Sequence, residues 1–239
     1  SGSDATVVAS RSASLPEGTP VTAVVGDVAE PDHHAELVAA AEAHGGLVLS
    51  VLNAAVYLPG LSWEMPVDQW RLQVDVNLWG VLHGVRAAVP VMVARGTGTV
   101  VAVSSGAGLV AMPMLAPYVA TKHAVVGLME SVQHELARTA PGVRAAVVCP
   151  GNIATPLAAN SLDAARVVDE QLPEAVADVV AGLRAGVAAG ADPTTVADAV
   201  VDAVRADRFW VLPQPEVAYG ALDRVQRIVD GRPPVDLAG

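Results

Sequence analysis

The chain has one cysteine, Cys149, and one lysine, Lys122, among 239 residues; it is also poor in aromatics, at 3%. A lone cysteine excludes an internal disulfide framework and suits a reducing compartment. Cys149 ends the apolar run 143–149, so it reads as a buried, inert thiol. With few aromatics the core must be built from Ala, Val and Leu. Basic residues are scarce as well: 14 Lys and Arg face 25 Asp and Glu, a net charge of −11. No basic stripe is present to meet phosphates, which excludes nucleic acid as a partner. The acidic balance reads as a solubility feature. No uninterrupted apolar run reaches the ~18 residues of a membrane span, and no signal-peptide pattern opens the sequence. The expectation is a cytoplasmic protein with no membrane partner. Repeats and low-complexity linkers are absent, and the length suits one domain over 1–239 with a substantial core.

Against that background the single lysine is informative. The other thirteen basic residues are arginine, yet Lys122 stands four residues after Tyr118, near the start of a predicted helix over 117–138. Residues four apart share a helix face. The same face continues through Val125, Met129, Val132 and Leu136, an apolar, core-facing stripe. A phenol titrates near pH ~10. An ammonium about 4 Å away contributes on the order of 4 kcal/mol at an effective dielectric of ~20. That is enough to draw the phenol down by up to ~3 units before desolvation opposes it. A general acid–base catalyst works best with a pKa near the working pH, so the pair is a candidate proton donor and acceptor.

The rest of the chain alternates strands and helices. Strands are expected at 5–10, 21–25, 47–52, 99–104, 143–149 and 209–212. Helices are expected at 31–44, 66–95 with a kink near Pro90, 117–138, 162–189 as one or two pieces, 194–207 and 216–230. Apolar strands separated by helices define an α/β, Rossmann-like doubly wound parallel sheet covered on both faces. Such sheets bind ligands at the carboxyl ends of their strands. Asp27-Val28, Asn53-Ala54, Ser104-Ser105 and Pro150-Gly151 occupy those ends. His33-His34 and His134-Glu135 lack metal-ligand spacing and are expected on solvated helix faces.

Ser105 lies 13 residues before Tyr118, and Asn77 lies 28 before Ser105. With DV at 27–28, LNAA at 52–55, VNLWG at 76–80, SS at 104–105, YVATK at 118–122 and PGNIAT at 150–155, the chain resembles the short-chain dehydrogenase/reductase family from about 5 to 212. The resemblance implies an oxidoreductase that interconverts an alcohol and a carbonyl with a nicotinamide cofactor. It implies Tyr118 as the acid–base, with Lys122 lowering its pKa and holding the nicotinamide ribose. Ser105 would hydrogen-bond the substrate oxygen, and Asn77 would keep a relay water in place. Asp27 and Val28 would contact the adenine, Asn53 and Ala54 the adenosine ribose region, and Pro150, Ile153 and Thr155 the nicotinamide. Residues 157–192 would form the substrate lid. The family also implies a homotetramer or homodimer, and the helices 67–94 and 118–138 carry apolar Trp70, Trp79, Val81, Val85, Met129 and Val132 that fit such contacts. Leu109, Met112, Met114 and Leu157 suggest a small apolar carbonyl or alcohol as substrate.

The departures are as specific as the matches. The family opens with a strand, a glycine-rich turn TGxxxGxG and a helix; here only 1–4 precede the strand at 5–10, and the expectation is that the full polypeptide supplies this first βα unit, with a true deletion as the alternative. That loop lets the backbone approach a pyrophosphate at a helix N-terminus. The absent strand should lie in mid-sheet, so edges and apolar faces should be exposed. Stretch 12–20, with Pro16, Gly18 and Pro20, is short for a crossover helix, and Leu52 and Ala55 alter the family's NNAG segment. Two other readings therefore stand beside the dehydrogenase: a cofactor-independent enzyme of elimination or retro-aldol type, and a catalytically silent subunit. At the end of the strand 5–10, Ser10-Arg11 offers no carboxylate to a ribose 2′-hydroxyl. Arg11 offers a fork to a 2′-phosphate, which points to NADP, with NAD as the second choice.

Overall fold

The computed structural model describes residues 6–10, 21–157, 160–161 and 174–234. Among the described residues, six parallel strands form two sheets. β1 (Thr6–Ser10) pairs with β2 (Val21–Val25), Thr6 opposite Val21. β3 (Leu49–Leu52), β4 (Gly98–Val103), β5 (Val143–Val148) and β6 (Trp210–Val211) follow one another in the second sheet.

Seven α-helices are present among the described residues: α1 (Pro31–Ala43), α2 (Val67–Val74), α3 (Gly80–Arg95), α4 (Ala116–Thr139), α5 (Glu174–Ala188), α6 (Pro193–Arg205) and α7 (Glu216–Val229). Proline in the first turn of α1, α4 and α6 forgoes only an N–H that would have no helical partner. Asp192 caps α6 by accepting from Thr194 N at 2.8 Å, and these bonds pull its carboxyl below the usual range.

Strand side chains alternate between two cores, as the period of two requires. Val100, Ala102, Val143, Ala145 and Val147 pack with α3 (Val85, Ala88, Met92) and α4 (Val125, Met129, Val132, Leu136). Val101, Ala146, Val148 and Val211 pack on Val200 and Ala203 of α6. Both faces are covered here, which is why these strands read as continuous apolar runs. Each such buried side chain contributes about 1.5–3 kcal/mol.

The expected gap is visible. β1 and β3 do not pair, although α1 packs on both β1 and α3, and α3 packs on β3 and β4. β1 thus lies on the side of its small sheet that is turned toward β3. Away from α3, Leu49 and Val51 of β3 are 37% and 46% exposed. Among the described residues, this side of β3 has no neighbouring strand.

Three local expectations change. The long helix departs from α geometry at a π-helical segment, Asp75–Trp79, while Pro90 lies inside the continuous α3. His33 and His34 are buried, because His33 lies over Gly26 and His34 Nε2 meets Val28 O at 2.9 Å. Val81, Val85, Met129 and Val132 are absorbed by the chain's own core rather than left for a partner. The stretch from α2 through α3, Val67–Arg95, is long and apolar enough to cross a membrane by length and composition, but α3 is a core helix here.

Candidate active site

The site is built on the first turns of α4, where the buried stripe begins with Tyr118, Thr121 and Lys122. Lys122 is 1% exposed and its Nζ donates to Val103 O, at the end of β4, at 2.8 Å. The ammonium lies 5.6 Å from the Tyr118 ring centroid. The Ser105 side chain lies beside the Tyr118 hydroxyl and lowers its pKa, and Ser105 Oγ accepts from Ala107 N at 3.1 Å. Ser104 Oγ donates to Lys122 O at 2.9 Å and so ties the end of β4 to α4. Gly108 is required by this contact: a Cβ there would meet Ser104 Oγ and lie 2.8 Å from Lys122 O.

Burial sets the charge states. It pushes the Tyr118 phenol up to about 12, against the Ser105 hydrogen bond that lowers it, and Tyr57 raises it a little further. Burial also draws Lys122 down to about 8. The expected lowering of the phenol by Lys122 is therefore not found; the ammonium is turned to Val103 O and desolvation dominates. The Cys149 thiol is pushed up to about 11 by burial, in keeping with an inert thiol.

Asn77 sits in the π-helical segment and is fully buried. Its Oδ1 accepts from Val56 N at 2.8 Å, and its Nδ2 donates to Val56 O at 2.8 Å and to Thr121 Oγ1 at 3.2 Å. Thr121 Oγ1 donates in turn to Tyr118 O at 2.8 Å. Asn77 thus clamps the loop after β3 to the Tyr118 turn. Gln73, one helical turn before Asn77, accepts from Leu58 N at 3.1 Å. Ser161 Oγ accepts from Tyr57 N at 3.0 Å and donates to Leu157 O at 2.6 Å. Sequence reasoning missed Gln73, Ser161 and Tyr57. The four-residue spacing of Gln73 and Asn77 was the available signal for the first.

Because every strand is parallel, the other candidates lie at the same ends of the sheets. Asn53 and Ala54 are exposed after β3, and Pro150, Ile153 and Thr155 follow β5, half-buried. Asp27 and Val28 follow β2 in the separate sheet; Asp27 Oδ1 accepts from Ala29 N at 2.9 Å. Tyr118, Lys122, Ser105 and Asn77 are brought together, whereas Asp27 and Val28 approach them through the packing of Val28 on Gly80. Arg11, stretch 12–20 and lid residues 158–159 and 162–173 lie outside the described residues. At the far end of the lid, Ala154 N donates to Ala191 O at 2.9 Å and Ala191 N to Asn152 O at 3.0 Å, which fixes the end of α5 over β5.

The donor set fits one half of a nicotinamide cofactor. Gln214 Oε1 accepts from Gly151 N at 2.9 Å while its buried Nε2 has no partner, an unused donor beside the β5 end. With Tyr118 and Lys122 this suits a nicotinamide riboside. Among the described residues, none bridges β1 and β3 to cradle the phosphates.

A parallel α/β sheet with a buried Tyr–Lys pair and a Ser at its strand ends defines a Rossmann-like oxidoreductase class. The family model described as short chain dehydrogenase matches residues 3–166, and the chain belongs to that family. It is 32% identical over 231 residues to the CLA biosynthesis dehydrogenase/reductase of Lactiplantibacillus plantarum, covering 93% of this chain and 81% of that one. It is 35% identical over 149 residues to the D-beta-hydroxybutyrate dehydrogenase of Rhizobium meliloti, covering 62% of this chain and 53% of the relative. Among solved structures, a short chain dehydrogenase/reductase from Burkholderia phymatum in complex with NAD has a TM-score of 0.82 at 31% identity, covering 92% of this chain and 80% of that one. A gluconate 5-dehydrogenase from Burkholderia cenocepacia in complex with NADP and tartrate has a TM-score of 0.54 at 32% identity, covering 59% and 55%.

Proposed function

We propose that the chain interconverts a small alcohol and its carbonyl with a nicotinamide cofactor, NADP in preference to NAD, in the cytoplasm. The observation that carries this is the buried Tyr118 beside Ser105, with the buried Lys122 ammonium one turn along the same helix and 5.6 Å from the Tyr118 ring centroid. A bound nicotinamide would supply the hydride donor or acceptor. The chain's own part is the proton. A phenol at about 12 is protonated at neutral pH, which is the state that donates to a carbonyl oxygen. Ser105 orients that oxygen, and Lys122, with Asn77 behind Thr121, holds the Tyr118 turn. Pro150, Ile153 and Thr155 line the nicotinamide end. Leu109, Met112, Met114 and Leu157 give an apolar surround for the body of the substrate. The cofactor-independent and silent readings lack a described feature of their own in the site.

Tyr118→Phe removes one hydroxyl and leaves the packing, so activity should fall by more than tenfold with the melting temperature nearly unchanged. Tenfold corresponds to ~1.4 kcal/mol of barrier. Lys122→Arg should be nearly as damaging, since a guanidinium fork cannot reproduce the ammonium on Val103 O. Retention of a tenth or more of the rate by either variant overturns the assignment. The assembly is a homo-oligomer, a tetramer or dimer. Trp79, 47% exposed at the start of α3, supports this reading. A monomer by light scattering at micromolar concentration removes it.

A further inference from the structure

Each of α1 to α6 buries at least one side chain, whereas α7 buries none. It rests on the molecule by one narrow side. Val217 packs against Gly106 and Gly151, where a Cβ would lie 3.4 and 3.6 Å from its Cγ2. Gly220 faces Val110, with 3.2 Å between a Cβ built there and Val110 Cγ2. Just before the helix, Gln214 Oε1 accepts from Gly151 N at 2.9 Å. Gly106 and Gly151 adjoin Ser105 and Pro150, so the first turn of α7 is seated on the catalytic ends of β4 and β5. The other side of the helix is apolar and bare. Tyr219, Leu222, Val225, Ile228 and Val229 are 52–75% exposed. Tyr219, Leu222, Val225 and Val229 follow at three, three and four residues and share a face, with Ile228 at its border. At about 3.6 residues per turn, Leu222 and Val229 stand on the side opposite Gly220.

We propose that this stripe docks on the same stripe of a second copy of the chain, the two α7 helices antiparallel about a two-fold axis near Val225, and that the contact seats the 214–217 turn on the active site. This rests on the homo-oligomer reading above, to which it adds the face and the tie to the site. Five large side chains, each more than half exposed, offer on the order of 600 Å² per copy and about 1,200 Å² in a pair, which is where specific interfaces begin. The charges of α7 are paired along the helix and leave the stripe uncharged: Arg227 Nε donates to Asp223 Oδ2 at 2.7 Å, and Asp230 at the border is held by Gln226 and Arg232. A chain of net charge −11 repels its own copies wherever acidic surfaces meet, so an uncharged ridge is where two copies can approach. Antiparallel pairing also sets the positive end of one helix dipole beside the negative end of the other. A convex ridge does not enclose a small ligand, and it lacks the basic border that holds a helix to anionic lipid. A helix with so little burial of its own opens readily; the second copy supplies the burial that keeps Gln214 and Val217 in place.

Two variants test the contact without turnover, so the redox reading stands or falls separately. Val225→Cys should form a disulfide between copies under mild oxidation, seen as a doubled mass on a non-reducing gel, because the native Cys149 is buried. Trp63→Cys, also at an exposed position, should not. Leu222→Glu should lower the assembly by one twofold step in light scattering at micromolar concentration, with the circular dichroism unchanged. In the same variant the Gly151 N–H, which Gln214 holds, should exchange at least tenfold faster by NMR. If Leu222→Glu assembles as the wild type does, the docking is overturned while the homo-oligomer reading stands. Dissociation with Gly151 exchange within twofold of wild type overturns the tie to the site. A monomeric wild type overturns the proposal: slow exchange in α7 would then assign the stripe to another segment of the same polypeptide, and pelleting with phosphatidylcholine vesicles would assign it to a membrane.

Discussion

Lys122 is the residue on which burial and chemistry pull hardest against each other. An ammonium 1% exposed, with a single carbonyl at 2.8 Å, is taken out of water with little compensation. Its pKa of about 8 in the fold, against 10.5 in the unfolded chain, turns this into a pH dependence of stability. Below pH 8 both states are protonated and the fold bears the whole penalty. As pH rises from 8 toward 10.5 the unfolded chain holds more protons, so stability rises. Two groups act in the opposite sense at higher pH. Cys149, raised from 9 to about 11, and Tyr118, raised from 10 to about 12, keep their protons longer in the fold, so stability falls through those ranges. The clean window is therefore pH 8 to 9. Urea midpoints should climb across it for the wild type and stay level for Lys122→Met; a flat wild-type profile would contradict the buried charge. This single site shows how far sequence reaches at the residue scale. Tyr118 and Lys122 were readable from residue type and spacing, Ser105 and Asn77 through the family resemblance; Lys122 lies against the Tyr118 ring, and Asn77 reaches the Tyr118 turn through Thr121. The direction of the Tyr118 shift was not readable, because it depends on how much water the whole fold excludes and on which oxygen the ammonium chooses.

The element that positions the site is the long helical stretch with the π-helical segment in its middle. A π turn is a rare insertion that is often found at functional sites, and here it carries Asn77 into a fully buried place. There the side-chain amide replaces the strand partner that the loop after β3 lacks, bonding both the N–H and the C=O of Val56. Asn77→Ala leaves both groups buried and unpaired, at about 1–3 kcal/mol each, and also removes the contact to Thr121. The expected loss is about 2–4 kcal/mol in urea unfolding, with reduced order in 53–58 by hydrogen exchange. Asn77→Asp keeps the acceptor for Val56 N–H and should lose less. A loss under ~1 kcal/mol in Asn77→Ala would mean that water replaces the clamp. The boundaries of most elements follow from proline, glycine and apolar period, and the six strands fall where those patterns end. What periodicity could not place is the π segment. Its extra residue per turn leaves no mark in composition, and the proline that drew attention, Pro90, is accommodated within α3. Buried His33 and His34 were equally illegible, since a solvated helix face and a face covered by the residues 26–28 look alike in sequence.

At the scale of the whole molecule, the two sheets are the fact from which cofactor binding has to be argued. β3, β4, β5 and β6 bring the catalytic groups to one end, while β1 and β2, with Asp27 and Val28, are joined to them through α1 and α3 and not through a strand ladder. The nicotinamide half of a dinucleotide, if bound, would be held by Tyr118, Lys122 and the unused Gln214 donor. Its adenosine half would have to reach the β1–β2 sheet across a stretch where the described residues form no strand ladder. Phosphates are held by backbone amides at a helix N-terminus, so the two halves would be recognised by parts that no described strand connects. The sequence reading expected exposed edges and apolar faces, and Leu49 and Val51 are exposed. For the 239 residues alone, neither NADPH nor NADH should bind tightly in a fluorescence titration, while a nicotinamide mononucleotide, lacking the second phosphate and the adenosine, should lose less affinity relative to its dinucleotide than is usual for a Rossmann-like site. In a polypeptide that also supplies a strand between β1 and β3 followed by a phosphate-binding turn, NADPH should bind more tightly than NADH, because Arg11 offers a fork to the 2′-phosphate and Ser10 offers no carboxylate to a free hydroxyl. Arg11→Ala should then erase most of the difference. Tight dinucleotide binding by the 239 residues alone would show that the cradle is dispensable, and tighter NADH than NADPH in the extended polypeptide would remove Arg11 from the cofactor site.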